Sequence, residues 1–225
     1  MGLVSWKREE HSEVLYARQH CLPEFSHINH YWDEQRQQVF AKILPGEFYM
    51  TTKNVAISTT LGSCISACIY DSVTKVGGMN HFMLPLTTKH SHQVSWGQRG
   101  KESDATRYGN FAMEFLINTI LKNGGSKKNL VAKIFGGGKV RENLSDVGMK
   151  NIHFVLRYLA TEQINIETED IGLTCPRKVI FEPATGKVFI KRLSNLTNDT
   201  IARRERDYRH QIDENNSIEG DIELF

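Results

Sequence analysis

Two apolar runs flanking one short polar turn constrain this chain more than any other feature. In the first, Ile65, Ala67 and Ile69 alternate with Ser66, Cys68 and Tyr70 as far as a turn at Asp71-Ser72; the second, 76–84, is closed by Pro85. A period of two places successive side chains on opposite faces of a strand. Joined through 71–75, the two strands are expected to pair antiparallel, which brings residue 64 near residue 81. The rest of the fold has to accommodate a sheet built around this hairpin.

The remaining apolar runs are short and sit between turn residues. Strands are predicted at 39–44, ended by Pro45-Gly46, at 47–50, and at 55–60, stopping at Gly62. A further short strand at 130–135 leads into Gly136-Gly137-Gly138, and strands follow at 164–171, 178–182 and 187–191, the last two joined as a hairpin by 183–186. Two segments carry the helical period instead. Asp104 is placed to cap a helix whose broad apolar face holds Tyr108, Phe111, Ala112, Phe115, Ile117 and Leu121, and Asn123-Gly124-Gly125 ends it. A second helix is predicted over 146–162, where Ile152, Val155, Leu156 and Leu159 fall at i, i+3, i+4 and i+7. No internal repeat is present, and these patterns by themselves support mixed α and β structure.

Residues 1–38 read as a polar extension anchored by Trp6, Phe25, Tyr31 and Trp32. It holds four of the nine histidines, His11, His20, His27 and His30, so a metal-binding arm is the alternative. The central domain is expected over 39–193. A polar stretch at 86–103 with His90 and His92 forms a long loop, either a lid or a surface excursion. Residues 194–225 are a charged tail in which Arg203, Arg204, Arg206 and Arg209 precede acidic residues; a solvated helix or tail is expected, with a partner-docking segment as the alternative.

Composition excludes several classes. With 40% hydrophobic and 24% charged residues the chain of 225 residues should fold. A net charge of +2 without a basic stripe gives no reason to expect nucleic-acid binding. No apolar run approaches a membrane span and the N-terminus lacks a secretory pattern, so the chain is expected in the cytoplasm without membrane insertion. There the four cysteines, Cys21, Cys64, Cys68 and Cys175, are expected as free thiols.

One of these thiols stands out. Cys64 follows Leu61-Gly62-Ser63 at the entry to a strand, where its sulfur can be exposed while backbone N–H groups of the glycine turn, with Ser63 and Asn80 as further positioning groups, stabilise an oxyanion. A free thiol is a poor nucleophile at neutral pH without a base to hold the thiolate, and His81 is the residue the hairpin brings near. The hydroxyls of Ser58, Thr59 and Thr60 are available to orient that imidazole. The residues alone also permit a buried structural cysteine with a satisfied core histidine, or zinc held by Cys64, Cys68, His81 and His90. Cys68 reads as a small core hydrophobe and Cys175 as a loop thiol. The catalytic reading requires a Cys64 sulfur that is ionised, within reach of His81 and open to an incoming carboxamide.

The run 61–71 together with Gly77-Gly78-Met79-Asn80-His81-Phe82-Met83-Leu84-Pro85 closely resembles the chemoreceptor glutamine deamidase family, CheD. The resemblance covers about residues 39–192, beginning at Lys42-Ile43-Leu44-Pro45-Gly46-Glu47 and continuing through 132–138 and Thr185-Gly186-Lys187. It implies an α+β fold, a mixed β-sandwich flanked by helices, and a cysteine hydrolase that converts receptor glutamines to glutamates through a thioester without a cofactor. The nucleophile falls on Cys64 and the histidine on His81. The hydroxyl residue of the triad, a threonine six positions before the cysteine, falls by strict spacing on Ser58, and Thr59 substitutes if the strand is offset. The implied partners are chemoreceptor cytoplasmic domains and a CheC-type phosphatase. The same site would also serve a receptor glutamyl methylesterase, and a non-catalytic chemotaxis module is the alternative from another class. Two departures stand out: Asp146-Val147-Gly148-Met149-Lys150-Asn151 has Asp where the family has Asn, and Asp170-Ile171-Gly172-Leu173 has Leu where the family has Gly. A leucine holds a left-handed backbone only at a cost, so the second loop is expected to differ in shape.

Overall fold

The expected hairpin forms. In the computed structural model, which describes residues 11–85, 104–139, 147–193 and 199–215, strand β5 (Ile65–Asp71) pairs antiparallel with β6 (Gly77–Asn80), and a bridge between Ile65 and Phe82 extends the pairing. The turn is closed by Asp71, whose carboxylate accepts the N–H groups of Val73 and Thr74 at 2.7 and 2.8 Å and reaches across to the N–H of Ser126 at 2.7 Å.

Around this hairpin the described strands make two five-stranded mixed sheets. The first has the order β1 (Asn29–Asp33), β2 (Gln38–Lys42), β4 (Val55–Leu61), β9 (Arg177–Glu182) and β10 (Lys187–Arg192); only the β2 and β4 pair is parallel. The second runs β3 (Phe48–Thr51), β6, β5, β7 (Leu130–Gly136), β8 (Asn165–Ile171), with β7 and β8 parallel. Side chains link the sheets face to face: the Tyr70 ring on β5 meets Phe181 on β9, and Tyr49 Oη on β3 lies 3.0 Å from His30 Nε2 on β1.

Helices α2 (Asp104–Lys122) and α3 (Val147–Thr161) cover the outer face of the second sheet. This layering explains why every residue of β5 is buried whereas β8 and β10 are largely open: a central strand packed on both faces is apolar throughout, an edge strand is not. The architecture is the expected mixed two-sheet α+β fold with flanking helices.

Both ends of the chain differ from expectation. The segment before residue 39 is not a loose extension, because β1 pairs with β2 along its whole length and the short helix α1 (Ser12–Gln19) packs Val14 and Ala17 into the core. Its polar sequence, Asn-His-Tyr-Trp-Asp, hid an edge strand. Its histidines do not converge on a metal. His11 stacks on Trp32, His20 bonds its own helix carbonyl at Tyr16, His27 pairs with Glu47, and His30 is buried between Ile28 O and Tyr49. At the other end, the described part of the tail is a helix, α4 (Asp199–Asn215), which packs on the domain through Glu205, Tyr208 and Ile212. The loop 86–103, Trp6, Asp146 and the end of the tail lie outside the described residues.

The loop after β8 carries the leucine at 173. Leu173 does take the left-handed backbone, at φ 64°, next to Gly172 at φ 71°. Such a conformation costs a non-glycine residue roughly 1–2 kcal/mol. It is held by hydrogen bonds from Lys139 N to Leu173 O at 2.7 Å and from Gly172 N to Gly136 O at 2.8 Å. The guanidinium of the fully buried Arg177 also binds the Asp170 carboxylate and the Gly172 carbonyl.

Candidate active site

The site lies where the chain leaves one sheet for the other. Strand β4 ends at Leu61 in the first sheet and β5 begins at Ile65 in the second, so Gly62-Ser63-Cys64 is the crossing. Its three carbonyls are all engaged from behind: Gly62 O accepts Gly138 N at 2.8 Å, Cys64 O accepts Gly137 N at 2.7 Å, and Ser63 O accepts the Asn151 side-chain amide at 2.9 Å. With the carbonyls fixed inward, the three N–H groups turn the other way, into one small space. Successive N–H groups pointing into one concavity bind anions.

Gly136 and Gly137 make this backing possible. Their φ values are 112° and 65°, and a Cβ on Gly136 would stand 2.3 Å from Cys64 O. Asn151 on α3 is fully buried and also accepts Leu84 N at 2.9 Å, so it ties the cysteine crossing to the segment after His81. Nothing in the local sequence assigns the glycine run or Asn151 to the site; the fold brings them to the crossing from the end of β7 and from α3.

His81 follows β6 directly and is 1% exposed. Its Nδ1 lies 2.7 Å from Thr59 Oγ1 on β4, and that hydroxyl donates to Ile43 O at 2.9 Å. A hydroxyl has one proton to give. With that proton on Ile43 O, Thr59 accepts from His81 Nδ1–H, which leaves Nε2 as the bare ring nitrogen. Nε2 is buried and has no hydrogen-bond partner among the described residues. The Cys64 sulfur, a ring nitrogen of His81 and a carboxylate oxygen of Glu205 lie within 4.8 Å of one another.

The other predicted residues separate cleanly. Ser58 is one residue from Thr59 on the same strand, so it faces the opposite side, with its Oγ 3.4 Å from Tyr31 Oη. Asn80 likewise points away from His81: its amide accepts Ala67 N at 2.8 Å and donates to Ala112 O at 3.1 Å, joining the sheet to α2 rather than serving the site. Gly62 and Ser63 are in the site, through their N–H groups. Cys68 is buried on β5 and Cys175 half-buried; all four cysteines are free.

Glu205 was not foreseen. From α4 its carboxylate enters the space beside Cys64 and accepts Gly62 N at 2.8 Å, Ser63 N at 3.0 Å, Ser63 Oγ at 2.8 Å and Cys64 N at 3.3 Å. This overturns the expectation of an ionised, open sulfur. Cys64 is completely buried, and burial first, then the neighbouring Glu205 carboxylate, pushes its thiol well above the ordinary range. Burial pulls His81 down to about 4, so the imidazole is neutral near pH 7. Cys64, His81 and Glu205 each offer a metal-ligand atom, but both oxygens of Glu205 already accept N–H or O–H donors. Between α4 and the domain remains a cavity of about 20 Å³, lined in part by Thr59, His81, Ile201, Arg204 and Glu205, with room for one water.

The family model described as CheD chemotactic sensory transduction matches residues 83–192. A protein of Halorhodospira halophila named probable chemoreceptor glutamine deamidase CheD is 49% identical over 91% of this chain and 93% of its own length. The chain belongs to the CheD family. Similarly named CheD proteins of Hahella chejuensis and of a Janthinobacterium species are 45% and 46% identical, over 91% and 88% of this chain and 93% and 94% of their own. No helix among the described residues of this CheD chain is long and apolar enough to cross a membrane.

Proposed function

We propose that the chain is a chemoreceptor glutamine deamidase, an amidohydrolase with Cys64 as nucleophile, His81 as general base and acid, and Thr59 as the residue that orients His81. One observation carries the reading. The N–H groups of Gly62, Ser63 and Cys64 converge on a single carboxylate beside the Cys64 sulfur and the bare Nε2 of His81. A glutamine carboxamide placed there would have its oxygen on the N–H groups and its carbon in front of the sulfur.

The steps follow from the tautomer. His81 Nε2 takes the thiol proton, and the sulfur attacks the carboxamide carbon while the carbonyl electron pair moves onto oxygen, held by the N–H groups of Gly62 and Cys64. The imidazolium returns its proton to nitrogen, the C–N bond breaks, and ammonia leaves a thioester on Cys64. His81 then deprotonates water, whose oxygen attacks the thioester. The C–S bond breaks to give a glutamate side chain, and the proton goes back to the sulfur. The net change is one glutamine and one water to one glutamate and ammonia.

The proposed substrates are the cytoplasmic domains of chemoreceptors, which places the activity in the cytoplasm; a CheC-type phosphatase is the further partner to test by co-purification. The decisive assay incubates the chain with a receptor cytoplasmic fragment and reads ammonia together with a gain of about 1 Da per converted glutamine by mass spectrometry. Activity is expected with the natural chain and none with Cys64→Ala. Turnover by Cys64→Ala, or methanol instead of ammonia from a methylated fragment, would refute the assignment.

A further inference from the structure

The helix that fills the site carries the chemical group the proposed reaction makes. A glutamate carboxylate is the product of glutamine deamidation and matches the carboxamide in size and shape. Glu205 presents it from a helix, on the very N–H groups that would hold a reacting amide. A carboxylate with only a structural task would serve equally well at an exposed helix terminus. This one is 6% exposed, beside a thiol and a bare imidazole nitrogen.

The rest of the helix fits the same description. Ile201, Glu205, Tyr208 and Ile212 follow at spacings of four, three and four residues and form the face turned to the domain, Ile201 half-buried and the others buried. Tyr208 packs on Gly46, where a Cβ would stand 2.7 Å from its ring, and its hydroxyl meets that of Tyr108 on α2. Of the residues between them, Arg203, Arg204, Arg206, Asp207, His210 and Gln211 are exposed, and Arg209 is half-buried with a guanidinium N–H on Met83 Sδ at 3.7 Å. The contact is thus narrow, with few apolar anchors on either side of one polar side chain aimed at the sulfur.

We propose that α4 is a built-in copy of the substrate, occupying the groove that a receptor helix takes and holding Glu205 where the target glutamine side chain reacts, so that the chain keeps its own site closed until α4 is displaced. This rests on the deamidase reading and extends it: the substrate is a helix whose glutamine is preceded by an aliphatic residue four positions back and followed by aromatic and aliphatic residues three and seven positions on. Gly46, Tyr108 and the crossing at 62–64 form the surface that recognises it.

The test uses the full chain and three variants: Glu205→Ala, which empties the anion site, Tyr208→Asp, which undocks the helix without touching the site, and Glu205→Gln. Iodoacetamide, itself a small primary amide, reads access to Cys64 by peptide mapping with fragment-ion sequencing, which separates it from Cys21, Cys68 and Cys175. Cys64 alkylation is expected to rise about tenfold or more in Glu205→Ala and in Tyr208→Asp, and ammonia release from a receptor fragment to rise with it in Tyr208→Asp. In Glu205→Gln the peptide carrying position 205 is expected to gain about 1 Da, and not when Cys64→Ala is added. Equal alkylation in the natural chain and the first two variants would overturn the proposal while leaving the deamidase reading intact. Faster alkylation without faster ammonia release, where the natural chain does turn over, would overturn the substrate-groove assignment. If alkylation accelerates but no form releases ammonia from any receptor fragment, the deamidase reading falls and closure by α4 stands.

Discussion

Replacing Thr59 by Val tests the geometry of the site at its most specific point. Valine keeps the shape of threonine but removes the hydroxyl that donates to Ile43 O at 2.9 Å and faces His81 Nδ1 at 2.7 Å. Two buried polar groups lose their partner, at roughly 1–3 kcal/mol each, so stability should fall by about 2–6 kcal/mol. The kinetic cost is separate. Without an acceptor at Nδ1 the ring no longer favours the Nδ1–H tautomer, and restoring it for each turnover costs about 2 kcal/mol, or about 30-fold in kcat/KM. The assay is ammonia release from a receptor fragment at a temperature where denaturant melts show both proteins folded. Thr59→Ser should recover most of the rate, because its hydroxyl can make both bonds, and Ser58→Ala should change it by less than about threefold. If Thr59→Val retains full activity while Ser58→Ala loses it, the orienting role assigned to Thr59 is wrong.

Three further outcomes rest on the same site. Asn151→Ala frees Ser63 O and Leu84 N at once and should lower kcat more than it raises KM, by about tenfold, because the N–H groups at 62–64 lose their fixed direction; a pure KM effect would contradict this. The folded-state pKa of His81 is below its unfolded value, so the unfolded chain takes up the proton first, and stability should be full above pH 6.5 and decline as pH falls toward about 4. His30 is lowered as well, mainly by burial, so the His81 part is read as the difference between denaturant midpoints of the natural chain and His81→Gln across that window. Dialysis against a chelator should leave both Cys64 alkylation and ammonia release unchanged, and faster alkylation of Cys64 after chelation would show that Cys64, His81 and Glu205 hold a metal.

What was legible in the sequence was local. The hairpin between β5 and β6 could be read because its period of two and its short turn fix the register without help from the rest of the fold, and with it came the meeting of Cys64 and His81. The parity of the strand also separates Asn80 from His81 and Ser58 from Thr59, so one member of each pair had to face away. Which member faces the site depends on how the first sheet lies over the second, and that is a tertiary matter. The edge strand β1 was missed because Asn29, His30 and Asp33 mask its pattern, although Tyr31 and Trp32 sit within it. Glu205 lies 141 residues from Cys64, and no local rule connects them. Its one signal was the stripe of Ile201, Tyr208 and Ile212 in an otherwise charged segment, with a glutamate where a fourth apolar residue would be expected.

The closed site also sets how tightly α4 can bind. Burying Tyr208 and Ile212 and half of Ile201 offers about 4–7 kcal/mol at roughly 1.5–3 kcal/mol for each fully buried side chain. Much of this is offset, because a 17-residue helix rich in charge is marginal by itself and must be ordered on docking. Tethering supplies the difference, since a segment joined by a short linker acts at an effective concentration of about 1 mM. A closed-to-open ratio of about 10–100 then requires an intrinsic affinity of only about 10–100 μM. A peptide of residues 199–215 added to the opened Tyr208→Asp chain should therefore inhibit ammonia release with a Ki of about 10–100 μM, and the same peptide carrying Glu205→Ala should be at least about tenfold weaker. Inhibition by both peptides alike would mean that the apolar stripe, and not the carboxylate on the N–H groups, does the closing. Absence of inhibition at about 1 mM would mean that α4 has no affinity of its own for the groove, and closure would then have to come from the tether alone, which tethering without affinity cannot provide.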